Sequence, residues 1–146
     1  MTKSHKEWYS WGYLPHFDHA GLLQMINFRL ADSLPSHLLE QLEKTVKQID
    51  DVLRRKRIEA YLDAGHGSCV LGDPRVSRMV EDSLLYFDGK RYRIIAWVIM
   101  PNHIHALVEI KQDMLLSEIL HSWKSFTANK ANRILGKSGF LGGGIF

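Results

Sequence analysis

The sequence predicts an α+β domain in which helices pack on one small antiparallel sheet. An alternating apolar segment near residue 22 reads as a strand, and three later stretches carry apolar residues at three- and four-residue spacing. Two β-branched runs flank Pro101-Asn102 as the arms of a hairpin. The resulting order, β, α, α, β, β, α, is that of helices laid against a sheet.

The first strand is "GLLQMINFRL", where Leu22, Ile26, Phe28 and Leu30 share one face and Gln24 interrupts it. An aromatic-rich lead precedes it. A long helix follows between Ser36, a candidate N-cap, and Gly65, a candidate stop, with Leu38, Leu42, Val46, Ile49 and Leu53 on one stripe. After the loop "HGSCVLG", Asp73 caps a second helix, Pro74 takes its first position, and Val76, Met79, Val80, Leu84 and Phe87 form its apolar side. "KRYRIIAWVIM" and "HIHALVEI" are the hairpin strands. The last helix carries Leu116, Ile119, Leu120, Trp123, Thr127 and Ile134 at helical spacing and stops at Gly136. "KSGFLGGGIF" has neither period and reads as a frayed tail.

The 146 residues, 45% of them hydrophobic, suffice for one domain with a real core. A formal charge of +3 points only weakly to an anionic partner, so the placement of the charges matters more than their sum. Cys69 is the single cysteine, which rules out an intramolecular disulfide and suits a reducing, cytoplasmic compartment. No segment approaches the ~20 apolar residues that span a bilayer, so no membrane partner is expected.

The chemistry concentrates in "WVIMPNHIHALVE", Trp97 to Glu109. Alternation along the strand puts Ile104, Ala106, Val108 and Ile110 on the core face and His103, His105, Leu107 and Glu109 on the other. Two neighbouring imidazoles can share a divalent metal, but two ligands are an incomplete set. Glu109 lies about 13 Å along the strand from His105, too far to join them, so a third ligand must come from elsewhere. Taken alone, a His-x-His pair is more often surface decoration than a metal site. A histidine-triad nucleotide hydrolase is excluded, because the position it needs is Leu107.

"AWVIMPNHIHALVE" resembles the signature of the single-tyrosine HUH transposases, the insertion-sequence-200-like class, and especially the REP-associated tyrosine transposases. "YLPHFDHAGLLQMINFRLADSLP" and "LSEILHSWKSFTANKANRILGKSG" are similar to the flanking blocks, so the resemblance runs from Gly12 to Gly139. It implies a ferredoxin-like α+β fold, a homodimer, and hairpin-bearing single-stranded DNA as substrate. It also implies that His103 and His105 hold Mg or Mn, which polarises the scissile phosphate while a tyrosine hydroxyl attacks, leaving a 5′-phosphotyrosine and a free 3′-hydroxyl.

The family's tyrosine lies beyond the last helix, whereas Tyr9, Tyr13, Tyr61, Tyr86 and Tyr92 all precede the histidines. No catalytic residue is therefore identified. A chain that stops short of the tyrosine helix, through a frameshift or early stop, is the expectation. Phe126 reads as a packing residue rather than a lost tyrosine. Lys90, Arg91, Arg93, Lys124, Lys130, Arg133 and Lys137 are the candidate DNA contacts. The reading is a DNA-cleaving and rejoining transposase. The alternatives are a remnant that binds DNA without chemistry and, third, a metal-dependent phosphoesterase.

Overall fold

A computed structural model describes residues 7–10, 15–18, 21–45 and 51–136. The architecture is α+β, with helices packed against an antiparallel sheet. A separate hairpin, β1 (Glu7–Ser10) and β2 (Pro15–Asp18), opens it. The alternation rules did not anticipate this pair, whose strands are only four residues each. The main sheet contains β3 (Leu23–Arg29), β4 (Tyr92–Ile99) and β5 (His103–Ile110) in the order β3-β5-β4, antiparallel throughout. Because β3 and β4 are both antiparallel to β5, they run parallel to each other. That is the split βαβ arrangement of a ferredoxin-like sheet. The crossover between them contains α1 (Ser36–Thr45), α2 (Asp51–Asp63), a 3₁₀ turn (Val70–Gly72) and α3 (Pro74–Leu85).

The helix ends follow their residues. Asp73 caps α3 by accepting the Arg75 amide at 2.9 Å, and Pro74 occupies the first turn, where a missing N–H costs nothing. α4 (Leu116–Leu135) closes on Gly136, whose φ of 61° is the left-handed cap conformation that glycine accepts without strain.

β5 is the centre of the core. Ile104, Ala106, Val108 and Ile110 are wholly buried, as alternation predicts, and meet Ile26 and Phe28 from β3. α3 contributes Val76, Val80 and Leu84, and α4 contributes Ile119, Leu120 and Trp123. Each such side chain contributes roughly 1.5–3 kcal/mol on burial. A polar bridge runs through this layer: the Trp123 indole N–H donates to the Tyr92 hydroxyl, which donates to the Leu84 carbonyl at 2.6 Å. A second, smaller core of Leu34, Ile58 and Leu62, with Leu38 against it, holds α2.

Three expectations need correction. Leu22 precedes β3 and is exposed, since the strand begins only at Leu23. Leu53 is 45% exposed although it falls on the predicted stripe, because α2 turns Ile58 and Leu62 inward instead. Phe126 is also exposed and carries the Lys130 ammonium over its ring at 4.4 Å, so it serves a surface contact rather than packing. Val46 and Ile49 of the stripe, and the "KSGFLGGGIF" tail, lie outside the described residues.

Candidate metal centre

Pro101 and Asn102 turn the chain between β4 and β5, and the Met100 amide closes the turn on the His103 carbonyl at 2.8 Å. His103 therefore opens β5 directly after the turn, and His105 follows on the same face. Their rings stand edge to face with centroids 4.8 Å apart. Register brings Asn27 opposite His105 and Arg29 opposite His103. Directly paired residues project to the same side of an antiparallel sheet, so all four share one face.

His103 is almost fully buried, for a reason the strand pattern could not reveal. The end of α2 sits over it: the buried Asn102 side chain donates from Nδ2 to the Leu62 carbonyl at 3.0 Å and to the His66 carbonyl at 3.1 Å. This fastens the α2 terminus to the hairpin turn. Asp63, on the last residue of α2, then lies with Oδ1 at 3.6 Å from Nε2 of His103.

Both imidazoles are oriented through Nδ1. Nδ1 of His103 is 2.7 Å from Oδ1 of Asn102, and Nδ1 of His105 is 2.6 Å from Oδ1 of Asn27. Burial holds the His103 proton affinity below the usual histidine range, and the charge on His105 acts the same way; Asp63 and Glu59 pull in the opposite direction. The protonated form is disfavoured overall. A neutral imidazole nitrogen and a carboxylate oxygen present lone pairs to each other, so the donor set fits a cation, for which imidazole and carboxylate are ordinary ligands. Among the described residues no group of three or more His, Cys, Asp or Glu is gathered as a ready metal cluster. His103 and His105 are the pair that could hold an ion, with Asp63 the carboxylate at hand.

The basic residues separate into different places. Arg93 pairs with Glu109 at 2.6 Å, and Arg91 lies over the Phe87 ring at 3.6 Å. With Lys90 they occupy the end of the hairpin away from the histidines: Arg93 faces Glu109 while Val98 faces His105. The four residues of β5 from His105 to Glu109, at ~3.3 Å each, separate the two ends by about 13 Å. On α4, Lys130 and Arg133 are exposed, and Lys124 is half-buried, its proton affinity lowered by burial and by the nearby charge of Arg29. Lys137 lies outside the described residues. Sequence reading missed Asn27, Arg29, Asp63 and Asn102. Asn27 had one legible signal, its odd position in β3, opposite the core-facing Ile26 and Phe28.

Residues 75–141 match the family described as transposase, IS200 like. The match runs from the start of α3 through the hairpin that presents both histidines and through α4. Over this segment, somewhat less than half of the 146 residues, the chain is similar to the IS200-like transposases. No curated protein and no solved structure matches it. Asn27, Arg29 and Asp63 lie outside the matched segment, while Asn102 and both histidines lie within it. No helix among the described residues is long and apolar enough to cross a membrane.

Proposed function

We propose that this transposase-family chain cleaves and rejoins single-stranded DNA bearing a hairpin, at a divalent Mg or Mn ion held by His103 and His105. The observation that carries the reading is the pairing, within the family-matched segment, of two Nδ1-anchored imidazoles 4.8 Å apart, one of them faced by the Asp63 carboxylate from outside that segment. When bound, the ion supplies positive charge against the scissile phosphate. Arg29, opposite His103, adds a fixed cation on the same face. Lys124 and the exposed Lys130 and Arg133 extend along α4 as contacts to the phosphate backbone, with Lys90 and Arg91 at the far end of the hairpin. Lys137 and Arg93 complete the DNA-contact set of this proposal, Arg93 by exchanging Glu109 for phosphate.

The chemistry proposed is transfer of the phosphate to a tyrosine oxygen: the new bond to phosphorus replaces the bond to the 3′-oxygen, and the phenolic proton passes to that oxygen. Of the described tyrosines, Tyr92 is unsuited, because its hydroxyl is buried and committed at both lone pair and proton. No tyrosine of the chain is assigned the role. A homodimer is the assembly proposed.

The test is incubation with Mn²⁺ and end-labelled hairpin single-stranded DNA, read on denaturing and native gels. A covalent protein–DNA adduct that disappears in His103→Ala and His105→Ala supports the proposal. Retention on the native gel without an adduct makes the chain a DNA binder, and free cleaved product makes it a phosphoesterase that uses water.

A further inference from the structure

The two histidines differ from a casual surface pair in one respect: each has its Nδ1 against an asparagine amide oxygen. An amide oxygen only accepts, so in each contact Nδ1 is the protonated nitrogen. For Asn102 the amide orientation is fixed independently, because its Nδ2 faces two carbonyls, those of Leu62 and His66. Rotating that amide would point an oxygen at both and a nitrogen at His103. The neutral His103 ring must therefore carry its proton on Nδ1 and a lone pair on Nε2, the atom that faces Asp63.

We propose that Asn27 and Asn102 are positioning residues that lock His105 and His103 as Nδ1–H tautomers, so that both Nε2 lone pairs are presented for ligation before any ion arrives. The proposal rests on the metal reading above for its purpose, though not for its structural content. The two devices differ in origin. Asn102 is supplied by the hairpin turn and is itself braced by α2, whereas Asn27 reaches across from β3. A ligating imidazole whose other nitrogen donates to a fixed acceptor is both oriented and more basic, and loss of such a partner typically costs about 10- to 100-fold in metal affinity.

The decisive variant is Asn27→Leu, because Asn27 is only half-buried and its loss leaves the core intact. Asn27→Asp, which keeps an acceptor oxygen, is the rescue. Metal-free protein with nitrogen-15-labelled histidine, held at a pH where the rings are neutral, reports each tautomer by long-range proton–nitrogen correlation. The native protein is expected to show His103 and His105 protonated at Nδ1, and Asn27→Leu to move His105 alone toward the Nε2–H form. Asn27→Asp should restore Nδ1–H. Mn²⁺ titration of the same three proteins should show a loss of about 10- to 100-fold in Asn27→Leu and recovery in Asn27→Asp. A native His103 or His105 protonated at Nε2, or an Asn27→Leu protein with unchanged tautomer and affinity, overturns the proposal. A native protein with both Nδ1–H tautomers but no Mn²⁺ uptake overturns the metal reading while supporting the role of the asparagines in setting the tautomers.

Discussion

The indole of Trp123 donates to the hydroxyl of Tyr92 at 2.9 Å, with the two rings edge to face at 5.2 Å. The hydroxyl in turn donates to the Leu84 carbonyl, so one oxygen ties α4, β4 and α3 together inside the core. Tyr92→Phe keeps the ring and removes the oxygen, leaving a buried N–H and a buried carbonyl unsatisfied. Equilibrium urea unfolding should show a loss of roughly 1–3 kcal/mol. A change well below that range would mean that water or a shifted Trp123 restores the bonds.

Gly67 is a position where the backbone leaves no room for a side chain. Its φ is +89°, and a Cβ there would lie 2.6 Å from the Asp32 carbonyl oxygen. Gly67→Ala combines strain with a collision and should destabilise the protein by about 1–3 kcal/mol. The same loop places the Ser68 amide on the Asp32 carboxylate at 2.8 Å. Hydrogen exchange at Ser68 should therefore accelerate in the variant, and unchanged protection would count against the argument.

Asp73 links stability to acid. Its hydrogen bonds with the Arg75 side chain and backbone hold its carboxyl below the usual carboxylate range. A folded-state value below the unfolded one means the contribution is present above the unfolded value and is lost as pH falls through the folded one. Asp73→Asn keeps a capping oxygen but cannot titrate, so its melting temperature should fall less steeply with acid than that of the native protein. Parallel acid limbs would refute the assignment.

Asp63 is well exposed and bears on the cation rather than on folding. Asp63→Asn removes the carboxylate facing His103 and is expected to weaken Mn²⁺ binding by about tenfold or more, with an unchanged urea midpoint. Calorimetric titration measures the first and fluorescence unfolding the second. Equal affinity in the two proteins would remove Asp63 from the centre.

The core was largely legible because β5 alternates without fault: every second residue from Ile104 to Ile110 is wholly buried. α3 was equally readable from Asp73 and Pro74, whose capping chemistry is local. The site was only half legible. Period-two alternation put His103 and His105 on one face, but the burial of His103 depends on α2, and Asn102 bonds to a residue 40 positions away. Contacts of that kind arise from the path of the chain between β3 and β4, and no spacing rule encodes that path. Leu53 failed for a related reason: which side of α2 faces inward is decided by Leu34 and Leu38, not by the helix's own periodicity.

β4 carries one more consequence. Its pairing with β5 slips between Ile94 and Ala96, leaving Ile95 as an extra residue. The slip exchanges the two sides of the ribbon, so that Tyr92 and Trp97, an odd number of positions apart, both turn toward the helices, Trp97 donating to Glu81 on α3. The strand is in effect two half-phrases spliced out of phase. Deleting Ile95 would make the ladder regular while leaving Trp97 inward opposite Ala106 and Val98 outward opposite His105, whereas removing a second residue beside it would turn Trp97 outward and Val98 inward.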